Sequence, residues 1–382
     1  MYVKAGVNIP KGDGDFLENP RPLLVYSRLL LHTFRKNMIC KVQGIDMQEL
    51  EQNVLEQYNM EISSTRKIRG AVLCDTNRGW FLLKEVSLTA NRIPALCELY
   101  EYLRTEGYTH LDHIEMNREG GHITEMENGE KYILKRWCDG KECEIRRSEE
   151  LVEASAELAK LHLLLQHPME NKCGQAEHLV KIYEKHDREL KKVRRFIRKV
   201  PVKGEFECAF LEAFDSMYEW AQAATEKLGN SDYEKLRNDC FLTGKMIHGE
   251  YNYHNILMCR DMRSSKVAAI TNFEKFHQDV QVEDLYYFLR KTMEKNGWKE
   301  RFADAVLNAY SAIRPIRSDE MDYLRIRLMY PEKFWKVASV YYHSNKAWMS
   351  VKNVEKLQTA VMQMKQKKKF LKAVFNEPVQ GL

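Results

Sequence analysis

The stretch IHGEYNYHNILM, Ile247 to Met258, is the one on which the reading of this chain turns. Gly249 sits between His248 and Glu250, and Asn255 follows that acid by five residues. A glycine between polar residues marks a tight turn, and the apolar Ile256, Leu257 and Met258 mark the return of the chain to a core. Roughly fourteen residues further on, ITNFEKF, Ile270 to Phe276, sets Asn272 and Glu274 two positions apart, on one side of an extended segment. Carboxylate and amide oxygens gathered from two neighbouring loops are donors that can orient a hydroxyl and hold a hard cation such as Mg²⁺.

Working outward, the segment from Met246 to Phe276 reads as loop, strand, turn and strand inside an otherwise helical region. That region opens at Ser148, where SEELVEASAELAKLHLLLQ has Ser148 at the N-cap, Glu149 and Glu150 in the first turn, and Leu151, Leu158, Leu161 and Leu165 at helical spacing. It continues to about residue 375. The preceding section is β-rich. KIRGAVLCDTNRGWFLLKEV has apolar runs from Gly70 to Cys74 and from Trp80 to Val86 around a polar turn, Asp75 to Gly79, which predicts a hairpin. A helix is predicted over Pro94 to Arg104, with Leu96, Leu99, Tyr100 and Leu103 on one face and Gly107 just beyond it. HLDHIEMN, GHITEM and KYILKRW read as three further strands. Met47 opens one more helical pattern, and the Gly-, Pro- and Asp-rich residues before it read as a poorly ordered extension.

The fold class is therefore α+β, in a bilobal, protein kinase-like layout. Residues 1–46 form the extension, 47–137 a small antiparallel β N-lobe with one helix, and 138–382 a large, mainly helical C-lobe carrying the two loops. The composition agrees with two packed lobes. The chain has 382 residues, 44% of them apolar and 30% charged, with six Trp and nineteen Tyr, which excludes a disordered polymer. A net charge of +5 over this length gives no reason to expect nucleic acid as a partner. Nine cysteines, never spaced Cys-x-x-Cys, read as reduced thiols of a cytosolic protein. The best apolar run, Pro22 to Phe34, is broken by Arg28 and too short to cross a bilayer, so no transmembrane segment or signal peptide is expected. The basic runs Arg188 to Val200 and Lys365 to Lys372 read as solvated helix faces, or else as a surface for an acidic partner or a membrane.

His248 to Asn255 resembles the HGDxxxxN loop of the aminoglycoside phosphotransferase and choline kinase superfamily, and Asn272-Phe273-Glu274 resembles its metal-binding Asp-Phe-Glu/Asp segment. Leu158 to His162 is similar to the helix that follows the hinge in that superfamily. More narrowly, HGEYNYHNIL, VEDLYYFLRK (Val282 to Lys291) and YPEKFWK (Tyr330 to Lys336) resemble the spore coat protein S (CotS) family of spore-forming Firmicutes, over about residues 47–375.

The resemblance implies ATP and Mg²⁺ as cofactors. It assigns Glu250 as the base, with His248 and Asn255 in the catalytic loop, and Asn255, Asn272 and Glu274 around the metal. Lys84 in FLLKEV would be the strand lysine facing the phosphates, with a partner on the next helix at Glu98 or Glu101, and Tyr132 to Trp137 the passage beside adenine. Two departures weaken this site. Glu250 stands where the superfamily has Asp and adds a methylene, a shift of roughly 1.5 Å, when misplacement near 1 Å can cost on the order of 100-fold in rate. Asn272 replaces a second Asp and brings the metal an oxygen without charge. No GxGxxG is present, and Asp284 is expected to cap a helix or brace the catalytic loop. The expected function is that of a kinase-like spore coat protein with degraded phosphotransfer, acting by binding other spore coat proteins in the mother-cell cytoplasm and the coat. The alternative is an active ATP/Mg-dependent phosphotransferase on a protein or small-molecule hydroxyl.

Overall fold

The computed structural model describes residues 49–376, apart from residues 69, 87–91, 172, 261–265 and 345–350; side-chain burial is described from residue 52 onward. The expected extension, residues 1–46, and Cys40 lie outside it.

The N-lobe is built on a six-stranded antiparallel sheet. Its strands are β1 (Ile62–Ile68), β2 (Ala71–Thr76), β3 (Gly79–Glu85), β4 (His113–Ile114), β5 (Thr124–Glu125) and β6 (Lys131–Arg136). They run in the order β1-β2-β3-β6-β4, with β5 also on β6. The hairpin forms where the apolar runs place it, but its turn is shorter than the polar residues suggest. Asp75 and Thr76 stay in β2 because the Thr76 hydroxyl donates to Gly79 O (2.8 Å) and accepts from Arg78 N–H (3.1 Å), closing the turn on Asn77 and Arg78. The polar edge strand β1 has no apolar alternation of its own and is held by its register with β2, Thr65 opposite Cys74.

Period-two alternation splits the sheet into two faces. Val72, Cys74, Phe81, Leu83, Tyr132 and Leu134 face outward and are covered by Val54, Leu55 and Tyr58, which lie on helix α1 (Glu49–Leu55) and just beyond it. Leu82, Lys84, Ile133 and Lys135 take the opposite register and face the other lobe. Helix α2 (Arg92–Thr105) buries Leu96, Leu99, Tyr100 and Leu103 as expected, and Gly107 follows at φ +79°. Its apolar face joins the core of the C-lobe, so the two lobes share one hydrophobic interior.

In the C-lobe, α3 (Ser148–Leu164) runs along α8 (Glu300–Ser311), while α4 (Leu179–Lys199) and α5 (Glu205–Gly229) pair beside it. The remaining helices are α6 (Tyr233–Leu242), α7 (Val282–Lys295), α9 (Ser318–Met329), α10 (Glu332–His343), α11 (Val351–Met362) and α12 (Met364–Phe375). Ser148 is not the N-cap of α3. Arg147 holds that position, and the buried Glu150 ties down the entry by binding Lys141 Nζ (2.7 Å), Arg147 (2.9 Å) and Glu144 N–H (2.8 Å). The basic run on α12 is also not wholly solvated. Lys367 is buried, donates to Tyr330 O at 2.9 Å, and is pulled down to about 7 by that burial. Cys74, Cys97, Cys138, Cys143, Cys173, Cys208, Cys240 and Cys259 are free thiols. Among the described residues no helix is long and apolar enough to cross a membrane.

Two small sheets carry the loops. β7 (Lys141–Glu142), β9 (Ile256–Met258) and β10 (Val267–Ile270) form one, in the order β10-β9-β7, and β8 (Met246–Ile247) pairs with β11 (His277–Gln278) in the other. The loop 248–255 leaves β8 and enters β9, and the loop 271–276 leaves β10 and enters β11. Both loops are thus fixed at both ends beneath the N-lobe sheet.

Candidate functional site

The first loop hangs on one buried carboxylate. Asp284, in the first turn of α7, accepts His248 N–H at 2.6 Å and Gly249 N–H at 3.0 Å, and lies 3.3 Å from His162 Nε2. Burial alone would raise the Asp284 pKa, but His162 and the loop hold it below the usual aspartate value. Asp284 is therefore a brace of the loop. His248 is fully buried; its Nδ1 accepts Glu250 N–H at 3.1 Å, which leaves the Nε2–H to donate to Thr271 O at 3.0 Å. The imidazole consequently ties one loop to the other. Gly249 is required by contact, since at φ +82° a Cβ would lie 2.3 Å from Lys275 O.

Glu250 points outward, about one-third exposed at 35%, and pairs with Lys275 Nζ at 2.5 Å. Its backbone oxygen accepts from Asn252 Nδ2 and Asn255 Nδ2, both at 2.9 Å. Exposed pairs contribute about 0–1 kcal/mol. We expect Glu250→Ala to lower stability by less than about 1 kcal/mol in urea denaturation, which makes it a clean probe of chemistry.

The second loop meets the N-lobe at a cluster that adds Lys135 and Asp112 to the sequence-based site. Lys135 of β6 is fully buried, and its Nζ lies 2.7 Å from Asp112 Oδ2, 2.8 Å from Glu274 Oε1 and 2.9 Å from Asn272 Oδ1. An ammonium has three N–H donors, and here each has an oxygen. Asp112 also accepts from Tyr100 Oη (2.9 Å) and from Asn272 N–H (3.1 Å). Lys84, the expected phosphate lysine, reaches the same two loop residues from β3, 3.3 Å from both Asn272 Oδ1 and Glu274 Oε1, with about a third of its side chain exposed. Burial alone would raise the Glu274 pKa, but Lys135 and Lys84 bring it down to about 2, and Asp112 with Glu274 holds Lys135 above the usual lysine value despite its burial. Asn272 adopts the left-handed conformation, φ +67°, which asparagine tolerates. Its Nδ2 donates to Asn255 Oδ1 at 2.9 Å.

The geometry gathers Glu250, Asn255, Asn272, Glu274 and Lys84 at the two loops below the sheet. Glu98 is elsewhere: its carboxylate accepts Glu170 N–H (2.6 Å) and the backbone N–H (2.9 Å) and Nδ2 (2.7 Å) of Asn171, and Lys84 pairs with Glu274 instead. Glu101 is exposed on α2 and binds Arg104. The first residue of α2, Arg92, donates to Glu274 O at 3.3 Å and also to Phe276 O and Cys173 O, clamping the second loop. Of the passage expected beside adenine, Tyr132 and Leu134 face the outer core, while Trp137 packs near Ala71, Leu73 and Leu82 on the inner face.

The expected metal ligands do not fit a divalent ion as they stand. Asn272 Oδ1 and Glu274 Oε1 each accept from two ammonium groups, and Asn255 Oδ1 accepts from an amide. Among the described residues no three His, Cys, Asp or Glu side chains group as metal ligands. Lys135 and Asp112 were missed by motif reading, although the signal is present: in YILKRW, Lys135 shares the inward register of Ile133, and a charge at such a position requires a buried partner.

The family model described as "Spore coat putative kinase YutH" matches residues 51–374. Spore coat protein S of Bacillus subtilis (strain 168) is 26% identical over 168 residues, 44% of this chain and 46% of that protein, so the match spans less than half the length of the curated relative. Among solved structures, an aminoglycoside phosphotransferase from Alicyclobacillus acidocaldarius is similar with a TM-score of 0.74 at 16% identity, over 88% of this chain and 97% of that one. The AMP-bound spectinomycin phosphotransferase gives 0.58 at 13% identity, over 84% and 98%. At these identities the structural likeness establishes the bilobal fold.

Proposed function

This chain belongs to the YutH family of spore coat kinase-like proteins, and from that premise we propose that it serves coat assembly by binding other spore coat proteins, with its phosphotransfer site degraded. The observation that carries this reading is the state of the two expected acids. Glu250 is held in an ion pair with Lys275, and the second position is the uncharged Asn272, whose oxygen is already shared by Lys84 and Lys135. Phosphoryl transfer depends on positioning and charge neutralisation; Glu250 reaches one methylene further than aspartate, and Glu274 is already neutralised by two lysines. The work of the protein would then take place in the mother cell and on the forming coat.

Two measurements test the reading. Purified protein with ATP and Mg²⁺ should release phosphate no faster than its Glu250→Ala variant. The same variant, returned to a spore former from which the chain has been deleted, should restore the coat protein pattern in full. A coat defect equal to that of the deletion, from a variant folded and present at normal abundance, would overturn the proposal. The competing reading, an ATP-dependent phosphotransferase acting on a protein or small-molecule hydroxyl, draws on the retained charges of Glu250 and Glu274. It requires turnover that Glu250→Ala removes.

A further inference from the structure

We propose that Lys135 is the resident cation of this site: its ammonium replaces a divalent metal ion permanently, so the wild-type site takes none. This deepens the functional reading above and rests on it. The argument begins with the coordination. The three oxygens around Lys135 Nζ come from two places in the chain, Asp112 just before β4 and the loop residues Asn272 and Glu274, at 2.7 to 2.9 Å. Those are ammonium distances, whereas Mg²⁺ requires about 2.0–2.1 Å. Asn272 and Glu274 are also the residues expected to hold the metal. Lys84 adds a second positive charge on the same two oxygens, so the two lysines together bring the charge of one divalent ion.

The replacement is not an accident of a mobile surface side chain. Lys135 and Asp112 have no exposed side-chain surface, and Glu274 has 9%. The pairing of β6 with β3, Leu82 opposite Lys135, fixes the backbone from which the side chain enters the site, and its ammonium is buried against Asp112 and Glu274. The neutral amide at position 272 fits the same design. An aspartate there would set a third carboxylate beside Asp112 and Glu274 and turn an oxygen toward Asn255 Oδ1, which now accepts from Asn272 Nδ2.

The test uses Mn²⁺ alone as the probe, read by the electron paramagnetic resonance of the free ion in the presence of full-length protein. Wild type should leave the free-ion signal as Glu274→Gln leaves it. Lys135→Met, which takes the buried ammonium from Glu274 and Asp112 and leaves Lys84 alone beside Glu274, should bind Mn²⁺ at least about tenfold more tightly than wild type. That gain should vanish in Lys135→Met combined with Glu274→Gln. Because Lys135→Met loses a buried partner, Lys135→Met with Asp112→Asn is measured beside it; it removes the second buried charge and should still bind more Mn²⁺ than wild type. Mn²⁺ uptake by wild type that Glu274→Gln abolishes would overturn the inference, as would folded Lys135 variants that gain no Mn²⁺. Failure here is distinguishable from failure of the functional reading. Wild type that takes up Mn²⁺ yet leaves ATP intact refutes the resident cation alone, and ATP turnover without Mn²⁺ uptake refutes the non-catalytic role alone.

Discussion

Lys135→Met is expected to destabilise the folded protein by about 3–5 kcal/mol, the cost of removing one member of a buried ion pair and leaving the rest uncompensated. Asp112 and Glu274 would both lose their nearest positive charge. Lys84→Met is the control. It contacts the same oxygens but is about a third exposed, so about 1 kcal/mol or less is expected. Urea denaturation of the three proteins checks the contrast, and equal midpoints for wild type and Lys135→Met would refute the buried tripod. Acid unfolding gives a second readout. In the unfolded chain Glu274 takes up its proton near pH 4.3, whereas in the folded protein it does so only near 2. The stability it lends is therefore whole above about pH 4.5 and lost as the pH falls toward 2. Lys135→Met should compress that window, because only Lys84 would then hold the carboxyl down.

The second large effect is expected at Gly249. An alanine there must adopt a left-handed backbone and place its Cβ 2.3 Å from Lys275 O, a backbone atom that cannot swing aside. Left-handed strain and overpacking each cost about 1–3 kcal/mol, so about 4 kcal/mol is expected for Gly249→Ala. Gly107→Ala separates the two contributions. That glycine has a similar φ of +79° but nothing within 4 Å of its would-be Cβ, so only the backbone cost of about 1–2 kcal/mol should remain. Thermal unfolding of both variants checks this. Similar shifts would mean that the close approach of the two loops is not rigid.

Local signals in the sequence account for much of this structure. The 3.6-residue spacing of Leu151, Leu158 and Leu161 and the apolar runs about the β2–β3 turn are properties of short windows, and the helix and hairpin follow them. The loop spacing from His248 to Asn255 likewise depends on a tight turn of its own residues. What escaped were pairings made across distance. Lys135 meets Asn272 and Glu274 at separations of 137 and 139 residues, and the polar strand β1 takes its register from its neighbour β2. The same holds for Glu98, whose helical position suggested Lys84 as partner. The backbone N–H groups of Glu170 and Asn171 compete for that carboxylate, and nothing local to α2 reveals them.

Lys135 and Lys84 belong to strands of the N-lobe, while Asn272 and Glu274 belong to a loop rooted in the C-lobe. Arg92 fastens the same loop to α2. Any hinge motion that parted the lobes would pull the buried Lys135 ammonium away from Glu274 and Asn272, leaving it Asp112 of its own lobe. The two halves are therefore pinned to one another by Lys135, Lys84 and Arg92. The face where the lobes meet is thus stitched by charge as well as by apolar packing, and a parting of the lobes would have to break both at once.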